Sequence, residues 1–340
     1  MSEPILAEIK ISNIIKNVKK VKTLLKKKVL LCAVVKSDAY GHGIVEVASL
    51  LYKHCDYFAV SLLNEAISLR LCGIDKPIII LSPVTENTVD GLILRDITLS
   101  VSTLSELYLI SKRAKKLDKR VKVHLAINTG MNRLGFSNKK EILKAISFIK
   151  SNKLLTLDGA YSHFGDVCNN AYTESAYLKF LSLTKPIKKC NKNAILHISA
   201  SGGLLKNQKY QLDMVRVGLL LYGYAPIQNN KIKVLPVMKI KAKNLLIRNG
   251  IKGEHLLYGN KTVNKNSACI LRLGYADGFL RRETLPFISN LCMDLSAVKG
   301  NNGLNYVTVM DDAEKLAREY KTIPYEVLVS VSKRAYKKYI

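Results

Sequence analysis

Short apolar runs alternate with longer amphipathic, lysine-rich segments through most of the chain up to Gly223. The runs are Val29 to Val35, Asp56 to Val60, Pro77 to Leu81, Asp96 to Val101, Val121 to Ile127, Leu154 to Tyr161, Ala194 to Ile198 and Asp213 to Val217. Brief apolar runs bounded by turn residues read as buried strands, whereas apolar residues at i, i+3 and i+4 read as one face of a helix. Leu104, Leu107, Tyr108 and Ile110 make one such face, and Ile142, Leu143, Ile146 and Ile149 another. Repeated strand-helix pairs predict an α/β fold with a parallel sheet closed into a (β/α)8 TIM-like barrel. Lys10 to Gly223 supplies the roughly 200 to 250 residues a barrel needs. An open doubly wound sheet is the alternative, disfavoured by the absence of G-x-G-x-x-G after the first run.

The texture changes after Tyr222. YGYAPIQNN is rich in turn residues, and beyond it short runs (Val234 to Ile240, Ala268 to Leu273, Tyr306 to Met310) lie between Gly and Asn clusters without long helical periodicity. A smaller, mostly β C-terminal domain is expected, with a boundary near residues 223 to 232. We divide the chain into a barrel over 10–225 and a β-rich domain over 226–340. Ile5 to Ile9 alternates apolar and polar residues, so residues 1–9 read as a strand belonging to that second domain.

With 340 residues and 48% hydrophobic content the chain can bury a large core, which excludes intrinsic disorder and a small disulfide scaffold. A net charge of +28 raises the question of nucleic-acid binding. The lysines, however, spread over 19–28, 112–122, 139–153, 185–192 and the C-terminal KRAYKKY, mostly on polar helix faces. With no Trp and 7% aromatics, the stacking residues of a nucleic-acid surface are missing. No specific nucleic-acid partner is expected. No apolar stretch approaches the about 20 residues of a membrane helix, and MSEPILAEIK lacks a signal-peptide pattern, so neither membrane nor export is expected. Seven scattered cysteines never spaced C-x-x-C, and six histidines without H-x-x-x-H, argue for a reducing cytoplasm and against a metal site.

The first barrel strand ends in VVKSDAYGHG, which puts Lys36 where a barrel gathers its active site. A strand-end lysine can simply reach water. Desolvated, it becomes an amine of lowered pKa able to form a Schiff base. Tyr40 adds a hydroxyl nearby, and Gly41 and Gly43 permit close backbone approach.

AVVKSDAYGHG resembles the lysine motif of bacterial alanine racemases. The resemblance continues in family order through NTGMNRLGF (128–136), YSHFGDV (161–167), HISASGGL (197–204), MVRVGLLLYG (214–223), LRLGYADGF (271–279), SNLCMDLSAV (289–298) and TIPYEVL (322–328). It implies a barrel plus C-terminal β domain that binds pyridoxal 5′-phosphate (PLP) and interconverts L- and D-alanine, supplying D-alanine for peptidoglycan. By resemblance, Lys36 would carry PLP as the internal aldimine and serve as one base, and Tyr275 would be the second base on the opposite face. Free phenol is a weak base at neutral pH, and the resemblance sets a His163 and Arg216 network beside Tyr275, where positive charge favours phenolate. Arg216 would also face the pyridine nitrogen; a donor-only guanidinium leaves that nitrogen unprotonated, which weakens the ring as an electron sink. Tyr40, Ser201, the backbone of Gly218 and Leu219, and Tyr325 would hold the phosphate, and Arg133 and the Met293 backbone the substrate carboxylate. A head-to-tail homodimer is implied, with Tyr275 reaching the site of the other subunit.

One stretch departs from the family pattern. HLAINTGMNRLG carries Ala126 where many members have a carbamylated lysine, and Asn128 where aspartate is common. Arg133 is then expected to be oriented by the Asn128 amide oxygen, a bound anion or water. This leaves a broad-specificity or serine-preferring PLP racemase as the alternative. A PLP-binding homeostasis protein of similar barrel type would lack the C-terminal domain.

Overall fold

The computed structural model describes residues 3–228, 231–259, 262–284, 286–300 and 303–340. Positions 229 and 230 of the expected boundary, and 1 and 2 of the opening segment, lie outside the described residues. The opening strand β1 (Ile5–Ile9) leads into a helix, Ile11–Thr23. Eight parallel strands then follow: β2 (Leu30–Val34), β3 (Tyr57–Val60), β4 (Ile78–Ile80), β5 (Ile97–Val101), β6 (Val121–Ala126), β7 (Leu155–Tyr161), β8 (Ile195–His197) and β9 (Met214–Val217). They pair in the order β8-β7-β6-β5-β4-β3-β2-β9. The ring closes between its ends, where Asp213 N–H donates to Leu196 O and Arg216 N–H to Ser199 O, both 3.0 Å.

The intervening helices begin where side-chain caps satisfy free backbone donors. Thr103 accepts from Glu106 N–H ahead of Leu104–Leu117, and Asn138 from Glu141 N–H ahead of Lys139–Ser151. Their inner stripes are Leu107, Ile110 and Ala114, and Ile142, Ala145, Ile146 and Ile149. Each large apolar side chain so buried contributes about 1.5–3 kcal/mol. Tyr108 and Leu143, assigned to those faces by their spacing, instead lie at the exposed margin. Lysines such as Lys22, Lys26, Lys27, Lys112 and Lys116 are exposed on the outer surface. Among the described residues no helix is long and apolar enough to cross a membrane, and no group of His, Cys, Asp or Glu could hold a metal ion.

The second sheet contains β10 (Met238–Asn249), β11 (Ser267–Leu271), β12 (Ser296–Lys299), β13 (Tyr306–Met310) and β14 (Tyr336–Tyr339), ordered β12-β11-β10-β1-β14 with β13 also on β10. Thus β1 sits between strands from the far end of the chain, antiparallel to β10 and parallel to β14. One expectation fails here. The run from Val234 is not a strand at its start, because Pro236 has no N–H to give a ladder; pairing begins at Met238 and continues to Asn249 across a bulge at Asn244/Leu246. Beside its sheet this mostly β domain also holds two short helices, Ala313–Tyr320 and Pro324–Val331, the latter carrying Tyr325.

Asn17, fully buried on the first helix, fastens the segment that crosses from barrel to second sheet. Its amide donates to Leu221 O (3.1 Å) and Leu235 O (2.8 Å), and its oxygen accepts from Leu235 N–H (2.8 Å). Removing one partner of a buried hydrogen bond leaves the other at a cost of about 1–3 kcal/mol. Asn17→Ala is therefore expected to lower unfolding free energy by about 2–4 kcal/mol in urea titration, and a change under 0.5 kcal/mol, the ordinary size for a surface substitution, would contradict this anchoring role.

Candidate active site

Lys36 follows β2 at the C-terminal mouth of the barrel and opens a backbone turn of uncommon hand. Ser37, Asp38, Ala39 and Tyr40 have φ of 53°, 53°, 52° and 56°, four consecutive left-handed residues with no glycine among them. Left-handed helical backbone costs L-residues roughly 1–2 kcal/mol each, so the turn must be held from outside. Glu65, buried on the helix Leu63–Leu71, accepts Ser37 N–H (2.5 Å) while also accepting from Ser61 and Leu62 N–H. Asp38 accepts Ile44 N–H (2.8 Å) and pairs with Lys337 of β14 (2.9 Å). His42 donates from Nδ1 to the Ala39 and Tyr40 carbonyls, and its ring stacks on Tyr222. Gly41 closes the turn against the helix Pro324–Val331 and the residue after it, where a Cβ would stand 1.9 Å from Ser332 Oγ.

The turn delivers Tyr40 into a neutral donor cradle. Its hydroxyl lies over Gly218, where a Cβ would be 2.6 Å from Tyr40 Oη. Ser201 Oγ accepts Gly218 N–H at 3.3 Å, and Leu219 follows in a tight turn whose Gly218 carbonyl accepts Leu221 N–H. The Tyr325 ring stands 5.7 Å from that of Tyr40, so the second domain forms one wall. Tyr40, Ser201, Gly218 and Leu219 are all buried.

Arg216 on β9 is 3% exposed. Its guanidinium donates to Ser162 O (2.6 Å), His197 O (3.1 Å), Ile198 O (3.3 Å) and His197 Nδ1 (2.6 Å), and reaches His163 Nδ1 at 3.5 Å. Burial pulls even this group down to about 10. Burial first, then the charges of Arg216, Arg133 and Lys36, push His163 down to about 3, so His163 is neutral. Positive charge in this cluster therefore resides on the guanidinium. Burial, followed by the charge of Arg133, lowers the Lys36 pKa, with Glu65 opposing.

Arg133 stands in the loop after β6, exposed at the rim. A cavity of about 30 Å³ lies between it and Ala126, Asn128, Tyr161, Ser162 and His163, where the truncated Ala126 leaves room. Of the three orienting groups expected for Arg133, the Asn128 amide oxygen does not serve. That oxygen accepts the N–H groups of Gly130 (3.0 Å) and Asn132 (3.1 Å), because asparagine satisfies nearby backbone donors first. No carboxylate pairs with Arg133 among the described residues.

Tyr275 and Met293 sit side by side on the second domain. Tyr275 N–H donates to Cys292 O and Ala276 N–H to Met293 O, each 3.0 Å, and a Cβ on Gly274 would lie 2.3 Å from both carbonyl oxygens. Asp277 accepts Gly274 N–H (2.8 Å) and meets Arg334, which also holds Asp294. Tyr275 is 37% and Met293 56% exposed. Among the described residues of one chain, neither is hydrogen-bonded to Lys36, Arg133, His163 or Arg216. The structure thus gathers Lys36, Tyr40, His163, Ser201, Arg216, Gly218, Leu219 and Tyr325 at the barrel mouth and leaves Tyr275 and Met293 on an open face.

Sequence reasoning missed Glu65, which emerges only when the second barrel strand and its helix bring it to the Ser37 N–H next to Lys36. It also passed over Asp277 and Arg334, although the first lies within the quoted GYADG segment.

Residues 9–226 match the family model for the alanine racemase N-terminal domain, and 237–339 that for the alanine racemase C-terminal domain. An alanine racemase of Methanococcus maripaludis is 32% identical over the whole of both chains, and one of Treponema denticola 34% identical over 96% of each. The solved alanine racemase of Clostridium difficile 630 superposes with a TM-score of 0.92 at 31% identity, covering 100% of this chain and 96% of that one.

If Arg133 helps depress Lys36, Arg133→Ala will move the Lys36 titration upward, since removing a cation stabilises the ammonium form. The pH dependence of Lys36 reductive methylation in the cofactor-free protein reads this directly; an unchanged or lowered midpoint would contradict it.

Proposed function

The chain belongs to the alanine racemase family, an isomerase family, and from that premise we propose that it interconverts L- and D-alanine by moving the α proton between Lys36 and Tyr275. The observation that carries this reading is the placement of a Lys36 amine of lowered pKa beside both the Tyr40–Ser201–Gly218 cradle and the buried Arg216.

The residues at the mouth fit PLP. A phosphate suits the hydroxyls of Tyr40, Ser201 and Tyr325 and the backbone at Gly218 and Leu219, a close-set group of neutral donors with no carboxylate among them. Lys36 would hold the cofactor covalently, with His163 and Arg216 on its ring side. PLP, when bound, supplies an electron sink that acidifies the substrate α C–H. Arg216 has donors only, so it would leave a cofactor ring nitrogen set against it unprotonated and temper the sink, which would disfavour transamination. Arg133 and the Met293 backbone would bind the substrate carboxylate.

Inversion requires a proton to leave one face of the α carbon and return to the other. Lys36 Nζ provides one face. Tyr275 Oη provides the other in a head-to-tail homodimer, a reading supported by the exposure of Tyr275 and Met293 on the second domain. We assign residues 10–225 to the cofactor-binding barrel and 226–340, with the opening strand, to the domain that completes the partner's site. A cytoplasmic setting accords with cysteines that are all free, and the D-alanine formed there would serve peptidoglycan synthesis.

Tyr275→Phe is expected to retain a borohydride-trapped Lys36 adduct yet lose racemisation, followed by conversion of L-alanine to D-alanine. Full racemisation in that variant would sink the two-base assignment. Sharing of sites is tested by mixing inactive Lys36→Ala and Tyr275→Phe chains. Random reassortment puts one intact site in half of the dimers and should restore about a quarter of wild-type activity; no recovery after exchange would exclude a shared site.

A further inference from the structure

Behind Arg216 and its partner His197 lies a line of groups given no role in the reaction above. His197 Nε2 meets His124 Nδ1 at 2.8 Å, and His124 Nε2 meets the Asp158 carboxylate at 3.3 Å. Both imidazoles are fully buried, whereas the Asp158 side chain is 23% exposed. The backbone makes room for this line. Pairing of β6 with β7 skips a residue, setting Val123 opposite Leu157 but His124 opposite Gly159, so Asp158 is the extra residue of a bulge. Gly159 leaves space for the ring, since a Cβ there would stand 2.6 Å from His124 Cε1. Tyr161 stacks over His197 at 5.4 Å and blocks the other side.

Donor and acceptor chemistry gives the line one direction. Arg216 can only donate, so His197 Nδ1 must offer a lone pair and the His197 proton must sit on Nε2. That proton is donated to His124 Nδ1, which places the His124 proton on Nε2, aimed at Asp158. Burial and the charge of Arg216 hold the His197 pKa well below its ordinary value, consistent with a neutral ring. In the reverse arrangement an N–H of His197 would face an N–H of Arg216 at 2.6 Å, and the guanidinium would have to turn away.

We propose that Asp158, His124 and His197 form a one-way hydrogen-bond relay that fixes the guanidinium of Arg216, making Asp158 and His124 positioning residues for racemisation. The proposal rests on the role given to Arg216 above. Asp158 is the accepting terminus that holds this direction against the reverse one, because an ionised carboxylate accepts and never donates; without it His124 is free to reverse, and Arg216 to turn away.

The relay is read without cofactor by ¹⁵N NMR of histidine-labelled protein. The expected wild-type result is a neutral His197 protonated at Nε2 and bare at Nδ1, with a His124 that carries its proton at Nε2 and leaves Nδ1 bare. In Asp158→Ala the His197 signal should lose this single tautomer. In the holoenzyme, kcat should fall about tenfold, the scale on which outer hydrogen-bond partners act, with KM for alanine within about twofold of wild type. Asp158→Glu, which restores an acceptor, should recover both signals. A wild-type His197 protonated at Nδ1, or an Asp158→Ala protein with unchanged tautomer and kcat, would overturn the relay. The wild-type spectrum needs no variant, so a poorly folding variant leaves the test intact. Absence of racemase activity in the wild-type enzyme would instead overturn the functional reading, with the tautomer still deciding the relay.

Discussion

A permanently charged guanidinium sealed into the mouth of the barrel is the constraint that organises this molecule. An unpaired buried cation is very costly, and among the described residues no carboxylate meets Arg216. Its compensation comes from the chain's own carbonyls: those of Ser162, His197 and Ile198 lie at or just past the ends of β7 and β8, where parallel strands present oxygens to one rim. A cation held by dipoles rather than by an anion keeps its full field. That field contributes to the neutral state of His163 and His197 and, with Arg133, to the lowered pKa of Lys36.

The second dependence runs through the left-handed turn after Lys36. Its conformation is unfavourable locally, and its supports come from both halves of the chain: Glu65 from the barrel, Lys337 and the Ser332 region from the second domain. The C-terminal segment is therefore more than a carrier of Tyr275. Tyr339 donates to the His42 carbonyl (3.2 Å), and Tyr325 packs toward Tyr40, so the geometry of the lysine and cradle in one chain already requires the domain that follows.

The barrel was legible because its strands are short and mostly buried and apolar, so each predicted run lies within two residues of the observed strand ends. The second domain was less so. Its helices span eight residues each, too short for a periodicity that stands out, and Pro236 broke a run that looked like a strand. At the site, Lys36, Tyr40 and Arg216 could be read from motif and strand position. The outcome at Asn128 could not: whether its oxygen meets Arg133 or two backbone N–H groups depends on the loop closing through Asn128 N–H to Phe136 O and Phe136 N–H to Ala126 O. Glu65 and Asp158 escaped for a similar reason, since their partners belong to other strands and a bulge decides where Asp158 points.

The position of β1 bears on how the chain comes together. This strand is made before any barrel strand, yet its two neighbours, β10 and β14, follow the complete barrel. During synthesis β1 must wait with both edges bare while more than two hundred residues emerge. Such an edge invites pairing with another chain. Its sequence, ILAEI, places Glu8 on the half-buried side, where Lys241 later neutralises it at 2.8 Å. An unpaired charge on a waiting strand opposes premature association, and the same charge becomes a fastening once the right neighbour arrives.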